Sequence, residues 1–195
     1  MSAVPHPLLT PQQYLGQERA AEFKSEFYRG EVFAMARTGY EHTLIKDNIA
    51  RNAGNQLQPA SCVVLTSDMR VKVSVTGLYT YPDLVILCEK PQLEDDKFDT
   101  LLNPRVIVEV LSESTEKYDR DKKFAHYRRI ASLGEYVLVD QDRVLIERYV
   151  RRDDESWMLT VFDDMSQTFE ASTVSVRIPL AEIYRGVTFP ENSGR

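Results

Sequence analysis

The sequence lacks any apolar run long enough to cross a membrane. No stretch approaches the roughly 18 consecutive apolar residues that a transmembrane helix requires. The opening segment, MSAVPHPLLTPQQYL, has no basic start, no long apolar core and no small-residue cleavage pattern. We therefore expect no leader peptide and no membrane association, and we expect the protein to act in the cytoplasm.

Cysteine is scarce, with only Cys62 and Cys88 in the chain. Each lies inside an apolar run, SCVVL and LVILC, rather than in the short paired spacing that is typical of zinc sites and redox motifs. A cysteine in such a run usually behaves as a small buried hydrophobic residue. We predict no metal-binding or redox function for either residue.

Positive charge is also in short supply, since 24 Lys and Arg stand against 30 Asp and Glu, for a formal net charge of −6. A protein that coats nucleic acid by charge needs clustered Lys and Arg, because its affinity comes from the release of counterions. The charge balance argues against that class. It does not exclude a nuclease, because an acidic metal site adds negative charge and a local basic patch can still contact phosphate.

The pattern along the chain predicts one α/β (α+β) domain over residues 1–195, with a core at about 40–140. Hydrophobic periodicity predicts a hairpin over 27–35, a helix over 40–57 and a second helix from about 112–115 to about 133. Pro5, Pro7 and Pro11 mark a Pro-rich lead-in, and the pattern predicts an exposed loop over 89–104. Strands are predicted over 62–66, 69–75, 83–88, 105–111, 135–140, 143–150, 157–162 and 173–178, before a short helix near 180–184.

Glu109 stands in the run VIVEVL, where every neighbour is apolar. In a strand it shares a face with Ile107 and Leu111. A carboxylate is rarely buried unless it is paired or bound to a metal, because the isolated charge is costly to desolvate. The run leaves both interpretations open: a salt bridge to an arginine such as Arg120, or a functional carboxylate.

Asp83 follows Pro82 and begins the strand-like run LVILC. Taken alone, Pro-Asp is ordinary turn chemistry. Together with Glu109, it places a second carboxylate on a neighbouring strand of the predicted sheet. Hard oxygen ligands of this kind suit Mg²⁺ or Mn²⁺ better than zinc. The pair therefore predicts a divalent metal site.

The helix predicted after Glu109 decides which lysine faces the sheet. At about 100° per residue, Phe124, Tyr127 and Ala131 form one apolar face, which Lys123 flanks. Lys122 falls on the opposite side with His126 and Arg129, as a solvated row. Arg120 lies on the inner face one turn earlier, where it either pairs with a carboxylate or holds a substrate phosphate.

Four further side chains are weaker candidates for the edge of this site. Asp68 begins another predicted strand, and His42 lies on the apolar face of the 40–57 helix, where a satisfied core histidine is the simpler interpretation. Ser112 follows the Glu109 strand and can equally cap the next helix. Tyr127 lies on the inner face of that helix, close to the predicted position of Lys123.

The motifs TYPDLVILC, VIVEVLSEST, YDRDKKFAHYRR and LGEYVLVD, in this order, resemble the Uma-type restriction endonuclease family of the PD-(D/E)XK nuclease superfamily. The resemblance covers about Thr10 to Tyr184. It implies a restriction-endonuclease-like mixed sheet flanked by helices in the order α-β-β-β-α-β, with additional N- and C-terminal strands. The superfamily lysine usually stands two positions after the acidic residue, where this chain has Leu111. In this branch the lysine lies in the following helix, which points to Lys123.

The resemblance also implies an activity. A Mg²⁺ (or Mn²⁺) ion would be held by Asp83, Glu109 and the backbone carbonyl of Val110, with Lys123 as the third catalytic residue, and DNA would be hydrolysed. The alternative is a catalytically inactive module of the same fold that binds nucleic acid or a protein partner, since fold does not dictate function. The apolar C-terminal strands make a homodimer compatible with either function.

Overall fold

A computed structural model describes residues 8–58 and 61–190. Pro5 and Pro7 of the predicted lead-in lie outside these residues. The helices are α1 (Pro11–Glu18), α2 (Tyr40–Leu57), α3 (Glu116–Tyr118), α4 (Phe124–Tyr127) and α5 (Leu180–Ile183), and a π-helical turn, Asp119–Lys123, joins α3 to α4.

The strands form two main sheets and a separate hairpin. They are β1 (Ser25–Tyr28), β2 (Glu31–Ala34), β3 (Val63–Thr66), β4 (Arg70–Val73), β5 (Leu78–Thr80), β6 (Leu84–Leu87), β7 (Thr100–Leu101), β8 (Val106–Leu111), β9 (Glu135–Asp140), β10 (Ile146–Arg151), β11 (Trp157–Phe162), β12 (Thr168–Ala171) and β13 (Val176–Pro179). The central sheet has the order β11-β10-β9-β8-β6-β3, the second sheet β2-β1-β5-β4-β7, and β12 pairs with β13.

The central sheet is mixed. Strand β8 pairs antiparallel with β6 and parallel with β9, while β6 with β3, and β9 with β10, are antiparallel. Counting only the elements that build this sheet and its flanking helices up to β9, the order is α2, β3, β6, β8, α3–α4, β9. This confirms the predicted α-β-β-β-α-β core and the mixed sheet flanked by helices.

The alternation of side chains along β8 divides the core into two clusters. Val106, Val108 and Val110 pack with the apolar face of α2. Ile107 and Leu111 point to the other face, where they pack with Tyr127 and with side chains of the second sheet. Glu109 shares this second face, as its position between Ile107 and Leu111 requires.

The structure contains the predicted helix with the bounds that the sequence indicated, and the predicted hairpin with bounds shifted by one or two residues. Helix α2 spans Tyr40–Leu57, and the hairpin is formed by β1 and β2. Its turn residues Arg29 and Gly30 have φ angles of 50° and 89°. Two successive positive φ values are typical of the tight turns that match strand twist, and glycine tolerates this conformation best.

Helix α1, which begins at Pro11 of the Pro-rich lead-in, was not predicted. The Thr10 hydroxyl accepts a hydrogen bond from the Gln13 backbone N–H at 3.2 Å, and the Gln13 side-chain oxygen accepts one from the Thr10 backbone N–H at 2.8 Å. This is a capping box. Proline suits the first helical position, because the backbone N–H that it lacks would have no partner within the helix. The short strands β5, β7 and β12 were also missed; β7 lies within the stretch predicted as an exposed loop.

The second predicted helix was drawn too long. It ends at Tyr127 rather than near Leu133. The guanidinium of Arg151 donates hydrogen bonds to the carbonyl oxygens of Arg128 and Ile130, at 2.6 and 2.8 Å. These bonds from β10 satisfy carbonyl groups that a longer helix would have used, so a tertiary contact sets the boundary.

The interpretation of the two cysteines as unlinked hydrophobic residues was also wrong. Cys62 and Cys88 form a disulfide between the ends of β3 and β6. The antiparallel register that places Val63 opposite Leu87 brings the two residues directly across from each other. Their proximity comes from strand pairing, which the spacing of 26 residues does not reveal.

Candidate functional site

Asp83 and Glu109 are held together by the pairing of β6 with β8. Asp83 lies one residue before the Leu84–Val108 pair, so it stands beside Glu109. The backbone N–H of Val110 donates to Asp83 Oδ2 at 2.8 Å, and the backbone N–H of Asp83 donates to Glu109 Oε2 at 3.3 Å. Each carboxylate is thus fixed by the backbone of the strand that carries the other.

Glu109 is only 3% exposed, and its second oxygen has two donors. Lys123 Nζ donates to Oε1 at 3.1 Å, and the Tyr127 hydroxyl donates to the same atom at 2.8 Å. Burial raises the pKa of Glu109 to about 8, because desolvation outweighs the opposing charge of Lys123, and Asp119 and Asp83 raise it further. Burial thus favours the protonated form of this carboxyl, and the Lys123 ammonium opposes it.

Lys123 is buried, at 6% exposure, whereas Lys122 is exposed. Its ammonium lies 3.1 Å from Glu109 Oε1, 3.1 Å from Asp119 Oδ1 and 3.3 Å from Glu26 Oε1. Burial works to lower the pKa of Lys123, but the three carboxylates together hold it well above the usual value. The lysine that the helix phase directed inward is therefore a permanently charged group at the centre of an acidic cluster.

The π-helical turn Asp119–Lys123 positions two members of this charged cluster. Asp119 and Lys123 bracket the turn and are its two buried residues. The hydroxyl of Tyr136, on β9, donates to the Asp119 carbonyl at 3.0 Å. Such turns are rare within helices and are frequent at functional sites.

His42 joins the pair from α2. Its Nε2 is 3.2 Å from Asp83 Oδ2, and the side chain is buried. Its other nitrogen, Nδ1, has no hydrogen-bond partner among the residues that the structure describes. His42 therefore contacts Asp83, a candidate metal ligand, directly. The interpretation of His42 as a satisfied core histidine did not include this contact.

Asp83, Glu109, Lys123 and His42 line one cavity of about 1150 Å³. Val110 and Ser112 also line it. Ser112 Oγ lies 3.1 Å from the hydroxyls of Ser114 and Thr115. Tyr127 is fully buried behind Glu109 and reaches the site through its hydroxyl alone.

Two of the sequence candidates lie away from this cavity. Asp68 pairs with Lys24, and its side chain is 88% exposed. Arg120 pairs with Glu116 at 2.9 Å and with Glu147 of β10. Arg120 therefore takes the carboxylate-pairing alternative, but its partners are these two residues rather than Glu109.

Sequence reasoning missed Glu26 and Asp119, both buried acids beside Lys123. Glu26 lies in β1 and accepts a hydrogen bond from the Thr80 hydroxyl. Its contact with Lys123 joins residues far apart in the chain, so no local pattern announces it. Asp119 gave a clearer signal, because it precedes Lys123 by four residues and shares its helix face.

A family model described as "Putative restriction endonuclease", Uma2, matches residues 11–181. The chain belongs to this family. Two Synechocystis sp. proteins are similar over most of their length. Protein sll1609 is 35% identical over 78% of this chain and 86% of its own, and slr1290 is 32% identical over 96% of this chain and 97% of its own. The match confirms the resemblance found in the motifs and makes the chain a nuclease-like protein.

The Uma2 fold is also seen in a solved structure. A protein from Anabaena variabilis, described as "a putative nuclease belonging to DUF820", matches with a TM-score of 0.74 at 15% identity. The match covers 90% of this chain and 97% of the other. At this identity the likeness supports the fold. Within the described ranges of the Uma2 chain, no helix is long and apolar enough to span a bilayer.

The donor set of this Uma2 chain fits a hard divalent cation. Three carboxylates, on Glu26, Glu109 and Asp119, surround the Lys123 ammonium, and Asp83 stands beside Glu109. Asp119 Oδ1 accepts no hydrogen bond within the described part of the chain, although Lys123 Nζ is near. No group of three or more His, Cys, Asp and Glu side chains in residues 8–58 and 61–190 is arranged to hold a metal. Asp83 and Glu109 stand side by side, and carboxylate oxygens of this kind suit an ion such as Mg²⁺ that keeps several waters.

Proposed function

We propose that the protein is a metal-dependent endonuclease that hydrolyses phosphodiester bonds in DNA. The observation that carries this proposal is the interlocking of Asp83 and Glu109 through each other's strands, with Lys123 at 3.1 Å from Glu109 on the wall of a single cavity. Membership in a restriction endonuclease family supports the reaction class.

In this proposal, Asp83, Glu109 and the backbone carbonyl of Val110 hold a Mg²⁺ or Mn²⁺ ion. When bound, the metal would polarise the phosphate and lower the pKa of the attacking water. Glu109 must release its proton to act as a ligand, since metal ligands bind in the deprotonated form. The raised pKa of Glu109 therefore couples metal binding to pH.

Lys123 supplies fixed positive charge to the reaction. Three carboxylates hold its pKa well above the ordinary value, so it stays protonated and cannot act as a general base. An ammonium in a buried position stabilises the negative charge that develops on the phosphate, or orients the water by donating a hydrogen bond. Its flexible stem lets the ammonium turn from the carboxylates towards the substrate.

Tyr127 and His42 position the two carboxylates. The Tyr127 hydroxyl donates to Glu109 Oε1 and leaves Oε2 facing Asp83. His42 Nε2 contacts Asp83 Oδ2, the oxygen that also accepts from Val110. With one oxygen of each carboxylate engaged in this way, their orientation does not depend on the ligand.

The second candidate is an inactive module of the same fold that binds nucleic acid or a protein partner. It is favoured by the ion pairs of Lys123, because a lysine surrounded by Glu26, Glu109 and Asp119 is equally suited to a purely structural role. Buried charges need such partners whether or not the site is catalytic.

A cleavage assay tests the proposal. Wild type, Asp83→Ala and Glu109→Ala are each incubated with supercoiled, linear, branched and single-stranded DNA in Mg²⁺ or Mn²⁺, and also in EDTA. We expect metal-dependent cleavage by wild type and loss of cleavage in both variants. Glu113→Ala, which removes an exposed acid from the same cavity, should cleave like wild type. Equal cleavage by all four proteins would reveal a contaminant, and no cleavage by wild type would favour the inactive module.

Two further expectations from the sequence belong with this proposal. A cytoplasmic location suits an enzyme that acts on DNA, and stays a prediction. Homodimerisation also stays a prediction; the uncharged edge strand β11, with Met158, Leu159 and Val161 exposed, is the surface to inspect for it.

A further inference from the structure

We infer that the cavity accepts unpaired nucleotides, so that the preferred substrate is a single-stranded or splayed DNA segment with a base stacked on Phe33. This inference rests on the proposed nuclease site, because it takes Asp83 and Glu109 as the place where the backbone phosphate is cut. It adds the form of DNA that can reach them.

The reacting groups lie in a recess. Glu109 and Lys123 are almost fully buried, and they line a cavity of about 1150 Å³. Cavities of this size enclose a small molecule or a short segment of chain. A phosphate in a duplex is fixed on the outside of a wide cylinder, whereas the nucleotides of an unpaired strand can turn inward one at a time. The recess therefore favours a strand without a partner.

The charge of the cavity also argues against ordinary duplex binding. Among its lining residues, three carry Lys or Arg side chains, namely Arg37, Lys122 and Lys123. Six are acidic: Glu26, Glu31, Asp83, Glu109, Glu113 and Asp119. Duplex affinity grows with the number of phosphates that cations neutralise, and this surface offers few. Attraction for DNA must come largely from contacts with the bases, which an unpaired strand exposes.

Aromatic side chains at the cavity wall provide such contacts. Phe33 is 46% exposed on β2, the edge strand of the second sheet, and it lines the cavity. Tyr118 also lines the cavity, and the Lys123 ammonium lies 5.7 Å from the centre of its ring. Phe33 thus offers a partly exposed ring in the cavity that contains the candidate catalytic residues. Bases stack on such rings with little regard for sequence.

A comparison within β2 shows that the position of Phe33 is specific. Its neighbour Val32 is equally exposed, at 44%, but is not among the residues that line the cavity. Phe33 is paired with Glu26, which also lines the cavity, whereas Val32 is paired with the buried Phe27, so the two side chains lie on opposite faces of the sheet. Val32 is therefore a matched control for loss of exposed apolar surface on this edge strand.

Fluorescence anisotropy with full-length protein tests the inference. The probe is a labelled 15-nucleotide DNA of mixed sequence, alone or annealed to its complement, in Ca²⁺ at fixed ionic strength. We expect wild type to bind the single strand at least about tenfold more tightly than the duplex. Loss of one stacked base corresponds to about 5- to 100-fold in affinity. Phe33→Ala should show this loss, Phe33→Tyr should restore the affinity, and Val32→Ala should bind like wild type.

Three results would overturn the inference: equal affinity for duplex and single strand, normal binding by Phe33→Ala, or an equal loss in Val32→Ala. Circular dichroism and the thermal midpoint of each variant show that it is folded. Cleavage in Mg²⁺ is measured separately. Phe33-dependent binding without cleavage would refute the nuclease proposal and keep the inference. Cleavage that is unchanged in Phe33→Ala, and equal for single-stranded and duplex DNA, would support the nuclease proposal and refute the inference.

Discussion

The two faces of strand β8 differ in the charge that they bury. On one face, Val106, Val108 and Val110 pack with α2 in an entirely apolar cluster. On the other, Glu109 sits between Ile107 and Leu111 and meets Lys123 and Tyr127. Neighbouring residues of one strand thus have different roles. The face towards α2 stabilises the fold by burying apolar side chains. The face with Glu109 contains buried charges that an apolar core would avoid.

The largest expected effect separates the two lysines at the Glu109 face. Lys123→Met keeps an unbranched side chain that is one atom shorter but removes its charge, and we expect cleavage to fall by at least about 100-fold, the typical cost of losing a stabilising group. Lys122→Met should lose far less activity, because that residue is exposed at the cavity wall and is not paired with Glu109. Initial cleavage rates on the best substrate measure both. Normal activity in Lys123→Met would mean that the acidic cluster, rather than the reaction, explains this buried lysine.

The sequence predicted this face only in part, and the reason is physical. Apolar periodicity is a local property, so α2, β8 and the inward direction of Lys123 could be predicted from it. The partner Glu26 and the Cys62–Cys88 disulfide depend on which strands become neighbours, whereas Asp119 stands four residues before Lys123 and could have been found from the helix period.

Local signals also went unused or were overridden. Thr10, Pro11 and Gln13 form a recognisable helix start, and helix α1 could have been predicted from them. A non-local contact overrode the helix period at Tyr127, where Arg151 binds the carbonyl groups that follow the helix, from a strand about 20 residues away. No residue within the helix itself encodes that stop.

A second test uses pH in the absence of metal. The carboxyl of Glu109 has an ordinary pKa of 4.5 and a pKa of about 8 in the fold, so between these values the folded state binds more protons than the unfolded chain. Its contribution to the free energy of unfolding is therefore complete below about pH 4.5 and is lost as the pH rises towards 8. Glu109→Gln lacks this titration.

We expect the thermal midpoint of wild type in EDTA to fall relative to that of Glu109→Gln between pH 5.5 and 8.5, as measured by calorimetry. Taking the difference between the two proteins cancels the groups that they share. Glu113→Gln, which changes an exposed acid of the same cavity, should run parallel to wild type. Parallel curves for Glu109→Gln as well would show that the Glu109 carboxyl is not protonated in the fold.

Metal binding should distinguish the two faces more directly. Mn²⁺ at 100 times its dissociation constant stabilises a folded protein by about 2.7 kcal/mol. For a chain of this size, that raises the thermal midpoint by about 5–10 °C. We expect this rise in wild type at pH 8.5 and its absence in Asp83→Asn and Glu109→Gln. A rise that survives in both variants would place the metal elsewhere and undo the assignment of the pair.

The smallest expected effect lies on the α2 face. Ile49 is buried in the apolar cluster, and Ile49→Val removes one methylene there, which typically costs about 0.5–1.5 kcal/mol of stability. The thermal midpoint should fall by a few degrees, while the cleavage rate per folded molecule and the Mn²⁺-induced rise stay at wild-type values. Denaturant titration and the cleavage assay measure the two sides of this prediction. If Ile49→Val lowered the cleavage rate as strongly as a change at Glu109, packing on α2 would control the carboxylates, through His42 on the same helix, and the division of labour between the two faces of β8 would fail.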